Sequence, residues 1–153
     1  PLSSICYPGT HNVGHAWAFL PDLAETFARL ADRESELSDF EVFHFGGHWF
    51  DHGVDIARAT LHVAGVPDAP VTRMPWFAVH LIAPFNETMR EMLEMRYLWK
   101  KPLRLDNAKL VAFLGAEPHT PLDQALRVTL TGLGCLPTTQ SNRAPALALT
   151  GKA

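Results

Sequence analysis

The sequence predicts a mixed fold, between α/β and α+β, with about five or six helices and a few short strands. Three observations lead there. Apolar residues recur at helical spacing in several segments. Proline and glycine cut those segments short. Between them lie brief runs rich in aromatic and β-branched residues, such as residues 41–45, EVFHF. Helices packed around a small sheet fit this division.

The clearest element is a helix pair over residues 106–136. Asp106 can cap the first helix, because its carboxylate can accept from the orphan N–H groups of the first turn. Leu110, Phe113 and Leu114 then recur at helical spacing. Gly115 suits the left-handed position past the helix end, and Pro118 forbids continuation. Thr120 is the expected N-cap of the second helix, with Pro121 at the first helical position and Asp123 in a capping box. Leu122, Leu126, Thr129, Leu130 and Leu133 line one face, and Gly134 ends it.

The other elements follow in chain order. Residues 1–14 read as a short apolar piece and an irregular loop, marked by Pro8–Gly9, Asn12 and Gly14. Residues 15–20 read as a strand with Trp17 and Phe19 on one side. A helix starts at Pro21, with Asp22 favourable in its first turn and Leu23, Phe27 and Leu30 as its buried stripe. It ends near Ala31 in a charged loop. Residues 41–45 read as a strand ended by Gly46–Gly47. A helix after Asp51 or His52 carries Val54, Ala57, Leu61 and Ala64, and is closed by Gly65 and Pro67. A short strand is expected over residues 71–74. Residues 76–83, WFAVHLIA, are apolar all round, so this helix is either buried or lies on another subunit. Asn86 caps a further helix bearing Met89, Met92, Leu93 and Arg96 on one side, and residues 103–105 are extended. The tail after Pro137 lacks caps and periodicity, so residues 137–153 are expected to be loosely ordered beside one region spanning 1–136.

Composition narrows the partners. The 153 residues carry a net charge of −3 and no basic run, which argues against nucleic acid or an anionic membrane. No apolar run reaches membrane-spanning length. Cys6 and Cys135 are isolated, without metal-type spacing, and suit a reducing cytoplasm. Hydrophobic residues at 47% against 19% charged ones point to apolar surface that meets another chain, and a homo-oligomer is expected. A first residue of Pro1 rather than Met reads as a processed or truncated product.

Two stretches carry a family resemblance. One is Asp106 with Lys109, then Leu114–Gly115, Pro118 and a following helix. The other is residues 15–24, HAWAFLPDLA. Together, and in this order, they resemble the C-terminal part of extended short-chain dehydrogenases/reductases of the NAD-dependent epimerase/dehydratase family. The resemblance implies the helix-rich C-terminal part of a Rossmann-type protein, which supplies the substrate pocket. It implies NAD or NADP in the complete protein, and a missing nucleotide-binding half or another subunit as partner. The family's glycine-rich loop does not occur here, so no cofactor is expected on this chain alone. The family's catalytic tyrosine has a lysine four residues later. Tyr97 and Lys101 match that spacing, but they lie too late in the chain and directly before a proline, so no catalytic residue is assigned.

The candidate substrate-binding residues are His15, Trp17, Arg96 and His119. His15 stands where nucleotide-sugar members of the family often carry an arginine, and an imidazole is a poorer diphosphate anchor. Arg96 matches a family arginine about ten residues before the signature aspartate. It reads equally as an anion contact or as an ion-pair partner of Glu91, Glu94 or a neighbouring helix. His119 sits in a turn, where a plain turn role is favoured over catalysis. His44, His48 and His52 recur every four residues, but Gly46–Gly47 breaks any helix there, and separate histidines are the preferred reading over a metal site. Asp22 reads as structural.

Overall fold

The computed structural model describes residues 2–137. The mixed class is observed, with six helices and four short strands among the described residues. The expectation for the tail after Pro137 falls on residues outside this range, apart from Pro137 itself. Strand β1 (Ile5–Tyr7) is followed by β2 (His15–Trp17) and helix α1 (Leu20–Ala31). Then come β3 (His48–Phe50), α2 (Asp55–Val63), β4 (Val71–Arg73) and α3 (Trp76–Ile82). Helices α4 (Glu87–Glu94), α5 (Ala108–Leu114) and α6 (Leu122–Gly132) complete the order. A 3-10 turn over Met95–Trp99 extends α4.

The strands form two separate pairs. β1 and β4 run parallel, with Ile5, Cys6 and Tyr7 opposite Val71, Thr72 and Arg73. β2 and β3 run antiparallel, with His15 opposite Phe50 and Trp17 opposite His48. The extended stretch expected at 103–105 meets β2 through a single bridge between His15 and Leu103. The core gathers where β1 and α2 meet. Tyr7, Val54 and Ala57 are buried there, with Ile5, Trp17, Ile56, Val71 and Trp99 packed around them. Helix α2 also packs on α6, so its buried Leu61 lies in the layer that joins the parallel pair to the C-terminal helices.

Local chemistry accounts for some of the helix ends. The Asp106 carboxylate accepts from the N–H of Ala108, the first residue of α5, at 2.9 Å, although the capping position itself falls on Asn107 and not on Asp106 as expected. Gly115 follows α5 with φ +84°, a conformation that favours glycine. Asn86 accepts from the Met89 N–H at 3.1 Å and caps α4.

Five expectations are corrected. Residues 41–45 form no strand; the partner of β2 is β3, three residues later. Phe40 and Val42 are exposed, Glu41 pairs with Lys109, and Phe43 rests on Phe113, so side-chain anchors replace ladder bonds. The first fourteen residues contain β1, whose ladder partner comes much later in the chain. In α1 the buried residues are Asp22 and Thr26, while Phe27 is 65% exposed. Thr120 does not cap α6; the helix begins at Leu122, and the Thr120 hydroxyl donates to Asp22 instead. Leu133 is exposed rather than part of the buried face. Of the two readings for residues 76–83, burial on all sides is excluded: in α3 Val79 is buried, but Phe77, Leu81 and Ile82 are exposed.

Candidate functional site

The chemistry concentrates just beyond the carboxyl ends of β1 and β4. In parallel sheets this is the edge where loops leave the strands and ligands bind. Tyr7 ends β1 and Arg73 ends β4. The Pro8–Gly9–Thr10 loop then turns away, fixed by the Trp76 indole N–H, which donates to the Pro8 carbonyl at 3.0 Å. The 3-10 turn after α4 brings Arg96, Trp99 and Lys100 against the same loop. Together these residues and Met74 line a cavity of about 200 Å³.

Charge sets this cavity apart. Arg73, Arg96 and Lys100 line it, and no carboxylate does. The ion pairs among the described residues engage Arg29, Arg33, Arg58, Arg90 and Lys109, none of them from the cavity. The Arg96 guanidinium lies 5.0 Å from the centre of the Trp76 ring, a cation–π arrangement, and its buried Nε has no hydrogen-bond partner among the described residues. A larger depression of about 680 Å³ runs over α2, but there Arg58 is paired with Asp55 and Asp123 also lines the wall.

Trp99 and Tyr7, which line this cavity, also belong to a packed aromatic cluster. The ring centroids of Tyr7, His15 and Trp17 lie 6.0, 5.1 and 5.9 Å from that of Trp99. Gly53 makes the cluster possible: a Cβ there would stand 2.1 Å from the Tyr7 hydroxyl and 2.6 Å from the His15 ring. Burial pushes the Tyr7 hydroxyl pKa up and the His15 imidazole pKa down, so both groups are held neutral. His15 is 8% exposed, and its Nε2 has no partner among the described residues.

Of the four candidate residues, His15 and Trp17 therefore pack against Trp99 without lining the cavity, and Arg96 lines it together with Trp99. His119 is placed elsewhere, with its ring 4.2 Å from that of His48. Among the described residues Arg96 forms no ion pair, neither with Glu91 or Glu94 nor with another helix. Sequence reasoning missed Tyr7, Arg73, Trp99 and Lys100. The signal for Tyr7 was a Tyr-Pro-Gly sequence at a strand end, hidden because the strand itself went unread. Tyr97 is 65% exposed and does not line this cavity. No group of three or more His, Cys, Asp or Glu side chains among the described residues is placed to hold a metal ion.

The His48–His119 pair belongs to the joint that holds the helix pair to the rest. Asp22 accepts from the Thr120 N–H at 2.7 Å and from its hydroxyl at 2.6 Å. Burial first, then the neighbouring His119, pushes the His48 imidazole below its ordinary value, while Asp22, Thr120 and Glu117 pull the other way. The folded state thus binds fewer protons than the unfolded chain in the range just below about pH 6.5. This contribution to stability is complete above the unfolded value and is lost as pH falls through the folded one. The His15 contribution has the same sign. The melting temperature should therefore fall between about pH 7.5 and about pH 5, and the fall should be shallower in His48→Gln. Equal slopes in the two proteins would remove His48 from the account.

Comparison with protein-family models, with curated proteins and with solved structures returned no match. No helix among the described residues is long and apolar enough to cross a membrane.

Proposed function

We propose that this chain is the substrate-binding portion of an NAD(P)-dependent epimerase, dehydratase or reductase of the extended short-chain dehydrogenase type. The observation that supports it most is the parallel pair β1–β4 with a cationic, aromatic-walled cavity at its carboxyl ends. Parallel strands are stable when buried on both faces within a wider sheet, so two of them alone suit continuation into a neighbouring body. Exposed apolar side chains fit that arrangement: Leu20, Phe27, Phe77, Leu81 and Phe85 are each more than half exposed. In this reading the nucleotide loop and the redox groups belong to the nucleotide-binding half. This part contributes Arg96, with Arg73 and Lys100, to the substrate, and His15 and Trp17 support Trp99.

The test is complementation. The chain is co-expressed with the polypeptide encoded directly upstream, and NADH and NADPH fluorescence is titrated with the co-purified pair. Nicotinamide binding by the pair, and none by this chain alone, is the expected result. A co-purifying pair that binds neither nucleotide would overturn the reading.

A second reading rests on α3 and the 3-10 turn Ala83–Phe85 that follows it. Phe77, Leu81 and Phe85 follow one another at four-residue spacing and are 78%, 61% and 92% exposed. A non-enzymatic module that binds a second copy of itself through this stripe uses the same surface without any nicotinamide.

A further inference from the structure

We infer that the cavity between Tyr7, Arg73, Arg96 and Lys100 recognises the phosphoryl group of a small phosphomonoester. The inference rests on the substrate-binding reading above and names the class of substrate. Three cationic residues line one small space, in a chain whose net charge is −3. None of the three is neutralised by a carboxylate among the described residues, although other arginines of the chain are. Leaving cations together in this way costs Coulomb energy that a bound dianion would recover. Guanidinium groups match phosphate oxygens with paired N–H donors, and a lysine adds a point charge.

Size sets the rest of the ligand. A volume of about 200 Å³ holds roughly seven waters at about 30 Å³ each. That is below the range of about 300–1,000 Å³ usual for drug-sized ligands. A phosphoryl group with a short carbon skeleton fills this space, whereas the sugar and base of a nucleotide would extend beyond it. Trp76 and Trp99, both in the lining, offer apolar surface to such a skeleton. Arg96 is held against Trp76, so little side-chain freedom remains to be lost on binding.

Isothermal titration of the full chain with glycerol 3-phosphate, inorganic phosphate, glycerate and AMP tests the assignment. Saturable binding of glycerol 3-phosphate is expected, tighter than that of inorganic phosphate, glycerate or AMP. Arg96→Gln should weaken it about tenfold or more, with the circular dichroism spectrum unchanged. Lys109→Gln, remote from the cavity lining, should leave it as it is. If Arg96→Gln does not fold, Lys100→Gln at an exposed position should still weaken binding severalfold. Absence of saturation by about 10 mM, an affinity indifferent to both cavity variants, or tighter binding of glycerate or AMP would overturn the inference. Nicotinamide binding by the complemented pair reports separately on the parent reading. If the pair binds NADH and no phosphomonoester binds, the subsite fails and the parent reading stands.

Discussion

Leu61→Ala is expected to lower the stability of the chain by about 3–4 kcal/mol, the cost of removing a buried leucine where neighbours collapse only partly into the gap. Leu61 is 1% exposed, and it lies on α2, the helix that packs on both β1 and α6. The void would therefore open between two layers, each held by other contacts. Native domains are stable by only about 5–15 kcal/mol, so a substantial fraction of the total would go. For a chain of this length the melting temperature should drop by roughly 6–16 °C. Leu81→Ala is the matched control: at 61% exposure the same deletion should cost under about 0.5 kcal/mol in the monomer. Urea unfolding of both variants measures the difference. A cost below about 1 kcal/mol for Leu61→Ala would mean that α2 is not the layer that joins the parallel pair to the C-terminal helices.

The helix pair of residues 106–136 was legible because its signals are local. Asp106, Gly115, Pro118 and Pro121 each act within a turn of their own position, and the structure places both helices within about two residues of their expected ends. Residues 41–45 failed for the opposite reason. Their aromatic and β-branched composition favours a strand, but a strand also needs a partner, and β2 takes β3 instead. Strand β1 was hidden by its length of three residues and by a partner far along the chain. Asp22 shows the same limit at a single side chain. Its place in the first turn of α1 explains a carboxylate there, yet what buries it is Thr120, 98 residues away. The cavity was legible in one residue, Arg96. Arg73 and Lys100 carry no mark in sequence, because only the parallel pairing and the 3-10 turn bring them together. A continuous apolar run bounded by prolines located α3, but whether such a helix is buried depends on neighbours that the run does not reveal.

Glu117→Ala is expected to cost about 2 kcal/mol and to loosen the loop ahead of β3. The Glu117 carboxylate accepts the Gly46 N–H at 2.7 Å, the Gly47 N–H at 2.9 Å and the Asn107 amide at 2.8 Å. Two successive backbone N–H groups and one side chain thus converge on a single charge, as they do around bound anions. Hydrogen bonds to a charged acceptor are the stronger kind, and the site is partly buried, so water replaces them only in part. The two glycines are required for the same contact. A Cβ at Gly46 would stand 2.8 Å from the Asn107 amide, and Gly47 has φ +61° with the Trp17 carbonyl 2.5 Å from its would-be Cβ. The glycine pair is therefore a socket for a carboxylate 70 residues on, in addition to preceding a strand. Glu117→Gln keeps one acceptor oxygen but turns an amide toward a backbone donor, so it should cost about half as much as the alanine variant. Amide exchange gives the decisive reading. In Glu117→Ala the Gly46 and Gly47 amides should exchange faster, while those inside α2 keep their protection relative to global stability. Uniform acceleration across the chain, without any excess at the two glycines, would show that the carboxylate stabilises the fold in general and not the position of this loop. Because β3 pairs with β2, a displaced loop would be felt at Trp17 and through it at Trp99. The same variant should therefore weaken phosphomonoester binding without touching any residue of the cavity.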